Sequence, residues 1–151
     1  MRFLRLVIVV VLLLLVAAPP ALAQDPKDYY WDYINADITV NVDGSFTVVE
    51  TQKYVFTQGS FHYATRYIPL DRVEGVTDVA VLEGNTAYKL VKAETEGGYT
   101  AVTSGGKLTI DWWYPYSSNT SRTFTLKYTV RGGLRVYDGG DQLWWVAVFP
   151  D

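Results

Sequence analysis

Few side chains in this sequence are of a type and spacing that could do chemistry. His62 is the only histidine, and there is no cysteine. One imidazole without a thiol, and without a serine in a Gly-x-Ser-x-Gly elbow, does not make a nucleophilic triad. No pair of histidines has metal-ligand spacing, so a zinc site is not expected, and no cofactor motif is present. Carboxylates are the remaining candidates, since glycoside hydrolysis needs two of them. Glu50 and Asp111 fall within predicted strands, and Glu94 and Glu96 within a predicted hairpin tip. Nothing in the sequence sets one pair face to face, and we expect no catalytic residue. Asp138-Gly-Gly-Asp141 lacks the dense oxygen spacing of a calcium loop and reads as an ordinary turn.

Binding is the other chemistry on offer. Residues 109–124, TIDWWYPYSSNTSRTF, hold two Trp, two Tyr and a Phe around a polar turn. A carbohydrate platform would use Trp113 with Tyr114 and Tyr116. Strand parity argues against most of it. Leu108, Ile110, Trp112 and Tyr114 share one face, and Lys107, Thr109, Asp111 and Trp113 the other. The first set reads as core, and Trp113 as the ring able to be displayed. Glu50 has parity with Phe46 and Val48, and Arg66 with Ile68. If the hairpin centred on Gln58-Gly59 closes, the two lie nearly opposite and form a structural ion pair, because a partly buried carboxylate needs a partner. Asn119-Thr120-Ser121 fits an N-glycosylation acceptor in a surface turn.

The elements that hold these residues are strands. Ile34, Ala36, Ile38, Val40 and Val42 alternate with Asn35, Asp37, Thr39 and Asn41, the period of a half-wet strand. Asp43-Gly44 predicts a type I′ hairpin turn into Ser45–Phe56. Phe61–Ile68 follows, closed by Pro69. Further strands are read at Val76–Leu82, Thr86–Val91, Tyr99–Thr103, Lys107–Tyr114 and Thr123–Val130. Leu143–Phe149 is continuously apolar, as suits a strand covered on both faces. Short strands with turn signals every ~8–12 residues predict a sandwich or barrel. We expect an all-β fold, two antiparallel sheets packed face to face in an immunoglobulin-like or related β-sandwich. Large rings supply much of such a sandwich's buried area.

The ends of the chain bear on compartment. Arg2 and Arg5, an apolar run over Leu6–Ala18, and Ala21-Leu22-Ala23 compose a secretory signal peptide over residues 1–23. The mature chain is expected to start at Gln24, with a leader over 24–32 and the sandwich over 33–151. Without the two leading arginines there are 11 basic and 16 acidic side chains, a net charge near −5. Such a surface repels phosphate backbones, so nucleic acid is not an expected partner. Absence of cysteine in an exported chain leaves the core alone to hold the fold. The stop at Pro150-Asp151, straight after an apolar run, suggests that a longer chain has been cut.

Several segments taken in order carry a resemblance. Asp37-Ile38, Asp43-Gly44-Ser45, Val48-Val49-Glu50, Tyr54-Val55-Phe56, Gly59-Ser60-Phe61 and Arg66-Tyr67-Ile68-Pro69 come first. Leu108 to Trp112, Arg122 to Val130 and Asp141 to Trp145 follow. This order resembles the N-terminal region of domain-of-unknown-function family 2207, predicted membrane proteins. The resemblance implies an exported β-sandwich at the front of a membrane-anchored cell-envelope protein, with no catalytic residues to carry over. The family's downstream transmembrane helix has no counterpart here, since no apolar stretch after Tyr30 reaches the ~20 residues of a span. Membrane attachment would then need a missing downstream anchor or an uncleaved signal. The expected role is that of an interaction or sensory module touching other envelope proteins or surface glycans.

Overall fold

The structure is a computed structural model and describes residues 26–147. The expected signal peptide, the start at Gln24 and the end of the last apolar run lie outside the described residues. Eleven strands and no helix are present in the described part. They are β1 (Asp28–Val40), β2 (Phe46–Gln58), β3 (Phe61–Pro69), β4 (Gly75–Glu83), β5 (Thr86–Ala87), β6 (Lys89–Leu90), β7 (Gly98–Ser104), β8 (Lys107–Ser117), β9 (Thr120–Arg131), β10 (Leu134–Arg135) and β11 (Gln142–Leu143). One sheet has five strands in the order β1-β2-β9-β4-β5, and the second has four, β3-β8-β7-β6. The pairs are antiparallel except for the short parallel contact of β6 with β7.

Alternation built these strands as parity predicts. β2 buries Phe46, Val48, Glu50, Gln52, Tyr54 and Phe56 and turns its odd residues outward. β8 buries Leu108, Ile110, Trp112 and Tyr114, and β9 buries Phe124, Leu126, Tyr128 and Val130. The two sheets meet through these faces. Phe61 of β3 stacks on Phe56 of β2 with ring centroids 4.6 Å apart. Trp112 and Tyr114 of β8 meet Phe124 of β9 at 5.6 and 5.0 Å. The Tyr99 hydroxyl of β7 donates to the Val79 carbonyl of β4 at 2.6 Å. β3 therefore lies over β2, β8 over β9 and β7 over β4.

Four local expectations are corrected. β1 begins at Asp28, inside the stretch read as a leader, because Tyr29 and Trp31 pack on Tyr54. The turn before β2 is not type I′: Gly44 has φ of 79° while Asp43 does not enter the positive region, and Gly44 N–H donates to Asn41 O at 3.1 Å. That is a type I turn closed by one left-handed glycine, with the Asp43 carboxylate taking the Ser45 hydroxyl at 2.6 Å and the Ser45 amide at 3.0 Å. Thr86–Val91 is not one strand. Tyr88 turns inward, its ring buried and its hydroxyl donating to Glu83 at 3.0 Å, so β5 and β6 join different sheets. The described part of the last apolar run gives only the short β11, and Trp144 and Val146 are 45% exposed rather than covered on both faces.

Candidate functional site

The chemistry-bearing residues fall into three places. Inside the sandwich lies a polar chain. Glu50 is 1% exposed and Arg66 8%. Arg66 Nε donates to Glu50 Oε1 at 2.9 Å and Nη2 to Oε2 at 3.0 Å, a bidentate fork. Tyr128 donates to Glu50 Oε2 at 3.2 Å, Gln52 donates to Oε1, and the Tyr54 hydroxyl donates to Gln52 Oε1 at 2.6 Å. Arg66 also reaches two carbonyls, Nη1 donating to Tyr67 O at 3.0 Å and Nη2 to Ala147 O at 3.2 Å. The route to this pair differs from the one expected. β2 and β3 share no ladder, because the chain changes sheets at Gly59-Ser60, so Glu50 and Arg66 meet across the layers rather than across a hairpin. Sequence parity revealed that both point inward. It held no sign of Gln52, Tyr54 and Tyr128 as partners, although a Gln on the buried parity of β2 was the available signal.

Burial pushes the Tyr128 hydroxyl far above the ordinary tyrosine range, and the Glu50 carboxylate adds to the shift. Tyr54 and Tyr114 move the same way, again mainly through burial. A phenol whose folded pKa is raised stabilises the fold fully below its unfolded value, about 10, and loses that contribution as pH rises above it. Alkaline titration is therefore expected to unfold the protein above about pH 10 before these tyrosines ionise. Phenolate absorbance followed beside far-UV circular dichroism checks this. Smooth ionisation of every tyrosine near pH 10 with structure intact would contradict it.

The second place is the outer face of the four-stranded sheet. Trp113 lies there, partly buried, between Tyr63 on β3 and Gly98 on β7. Asp111 is on the same face and accepts the Thr65 hydroxyl at 2.6 Å. Tyr114 does not join them. It is 2% exposed, its ring set against Phe124 and its hydroxyl donating to Tyr63 O at 3.0 Å. A displayed Tyr114 is thus corrected: parity, which put it with Trp112, governs. Tyr116 is 72% exposed but stacks on the His62 ring with centroids 4.4 Å apart. His62 Nε2 also lies 3.3 Å from Glu94 Oε1, a contact made by the loop after β6 and invisible to local sequence. Trp113, Tyr114 and Tyr116 therefore occupy three different settings, not one platform. Glu50 and Asp111 point to opposite sides, one between the sheets and one out to solvent, and line no common cleft.

The third place is a cleft of about 380 Å³ where the sandwich ends unequally. Trp31, Tyr54, Phe61, Tyr63, Thr65 and Tyr67 line it, with Lys27 at its rim. Sequence reasoning missed it, since its walls come from β1, β2, β3 and β8, and β3 shares no ladder with β1 or β2. Elsewhere, Asn119 sits exposed in the β8–β9 turn with φ of 49°. Asp138 and Asp141 are exposed, and no three His, Asp or Glu side chains converge on a metal site among the described residues.

Two unequal antiparallel sheets, a ring-filled interior and a buried ion pair define an all-β sandwich-like domain. The chain belongs to the family described as Predicted membrane protein (DUF2207) N-terminal domain, whose profile matches residues 32–151. No curated protein and no solved structure matches it. Among the described residues no helix is long and apolar enough to cross a membrane.

Proposed function

We propose that this domain is a non-catalytic extracytoplasmic module of the cell envelope that makes protein contacts through its sheet edges. The observation that carries this reading is the use made of its polar side chains. Glu50 and Arg66 are consumed inside the core, Asp111 is tied to Thr65, and the one imidazole is held between Tyr116 and Glu94. Rings are meanwhile left at an open edge, with Tyr63 at 53% and Tyr67 at 54% exposure. Aromatic residues gathered at one edge are the composition of a contact surface. The basic start and apolar run expected to form a signal peptide over residues 1–23 support export. Placing a photo-crosslinking residue at Tyr67 in the native host tests the reading: a discrete protein adduct outside the cytoplasm is expected. Adducts confined to cytoplasmic proteins, or none, would overturn it.

Carbohydrate binding is the second reading, and Trp113 favours it, because its ring lies on the solvent side of the sheet beside Tyr63. A pyranose can stack on such a ring while Asp111 accepts from its hydroxyls. Under this reading a glycan array gives a specific signal that Trp113→Ala abolishes, and Tyr114→Phe leaves that signal unchanged. Equal binding by the wild type and Trp113→Ala would reject it.

A further inference from the structure

The cleft has the shape of a missing strand. The five-stranded sheet carries β1 beyond β2, whereas the four-stranded sheet ends at β3, over β2. β3 thus has β8 on one side and, among the described residues, no strand on the other. Trp31, Ile34, Ala36 and Ile38, the inward residues of β1, stay partly exposed, and Trp31 lines the cleft. Two observations state what the vacancy accepts. At one end lies the segment Trp144–Ala147, which follows β11. Its side chains alternate, Trp145 and Ala147 partly buried and Trp144 and Val146 exposed. Trp145 packs on Phe46 and Tyr128, and Ala147 O takes the Arg66 bond. At the other end stands Lys27. Its stem is pressed onto Gly59, where an added Cβ would come within 2.8 Å of Lys27 Cγ, and its ammonium lies 5.4 Å from the Phe61 ring centroid. No carboxylate pairs with Lys27 among the described residues.

We infer that the cleft between β1 and β3 receives an extended segment of a partner polypeptide as a fifth strand beside β3. Backbone hydrogen bonds to the open edge hold it, alternate apolar side chains enter over Trp31 and Tyr54, and an acidic group meets Lys27. Strand addition draws its affinity from main-chain bonds and its selectivity from the pockets that take every second side chain. An edge left open beside exposed rings is otherwise an aggregation hazard, which a partner strand removes. This inference rests on the protein-contact reading above and names its partner's chemistry.

Panning a displayed random-peptide library on the full chain tests it. Enriched peptides should alternate large apolar residues and carry Asp or Glu at one end. On binding, amide exchange at Tyr63, Thr65 and Tyr67 should slow, by tenfold or more at the best protected site. Lys27→Glu should weaken the best peptide about tenfold, a difference of ~1.4 kcal/mol. Leu90→Ala, on the far edge, should leave it unchanged. Slow exchange at Thr65 before any peptide is added would mean that the chain fills its own vacancy, and would overturn the inference. Peptides that bind yet protect no β3 amide would also overturn it while leaving the protein-contact reading standing. No enriched peptide, together with glycan binding, would remove both.

Discussion

Arg66→Ala is expected to lower the unfolding free energy by about 3–5 kcal/mol, the usual effect of stripping one partner from a buried pair. The reason is what the substitution leaves behind. Glu50 is 1% exposed, and without the guanidinium its carboxylate keeps Gln52 and Tyr128 as partners among the described residues. The fold must then hold an uncompensated charge between its sheets or take up a proton there. Arg66 also carries the bond to Ala147, so the segment after β11 should loosen as well. Urea unfolding followed by tryptophan fluorescence measures the loss. For a chain of this size ~2–4 °C of melting temperature accompanies each kcal/mol, so a large fall is expected. The double variant Glu50→Leu with Arg66→Met should recover most of the stability, since apolar replacement of a buried pair is often neutral or favourable. A loss under about 1 kcal/mol from Arg66→Ala would place the pair with weak surface bridges and sink the account.

Phe124→Ala should be comparably severe, about 3–5 kcal/mol. Phe124 has no exposed surface and is ringed by Tyr54, Tyr88, Trp112 and Tyr114, with centroids 5.0 to 6.3 Å away. Removing it loses its transfer free energy and opens a cavity that four stiff neighbours cannot close. Those neighbours come from both sheets, so the defect falls on the contact that joins the layers. Trp113→Ala is the comparison. Its ring lies on the outer face and leaves no enclosed cavity, so a clearly smaller loss is expected in the same thermal melt. Equal losses would show that the outer ring is also part of the core, and the separation of filling from display along β8 would fail.

The aromatic stretch around Trp112 shows how a pattern of types becomes a structure. Within one strand the faces are set by the pleat, and neighbouring residues cannot share one. Trp112 inside, Trp113 outside and Tyr114 inside follow from that alone. The same rule put Glu50 and Arg66 on inward faces, and it organised β2, β8 and β9. It operates over two residues and needs no knowledge of the rest of the chain.

Pairing between distant segments obeys no such local rule. Whether the chain after Gln58 returns beside β2 or crosses to the other sheet depends on which arrangement buries more of the total apolar surface. So Glu50 meets Arg66 through the sandwich, Tyr88 interrupts an apparent strand to fill the core, and His62 finds Glu94 from a loop that its own neighbours do not foretell. The cleft is the furthest removed from local pattern, since it arises from five strands facing four. By itself the sequence determined an all-β architecture, the inward and outward side of most strands, and the inward placement of Glu50 and Arg66. Only the tertiary structure decided which strands face each other, which polar groups close the buried network, and where an edge is left open, because those follow from long-range packing rather than from the two-residue period of a single strand.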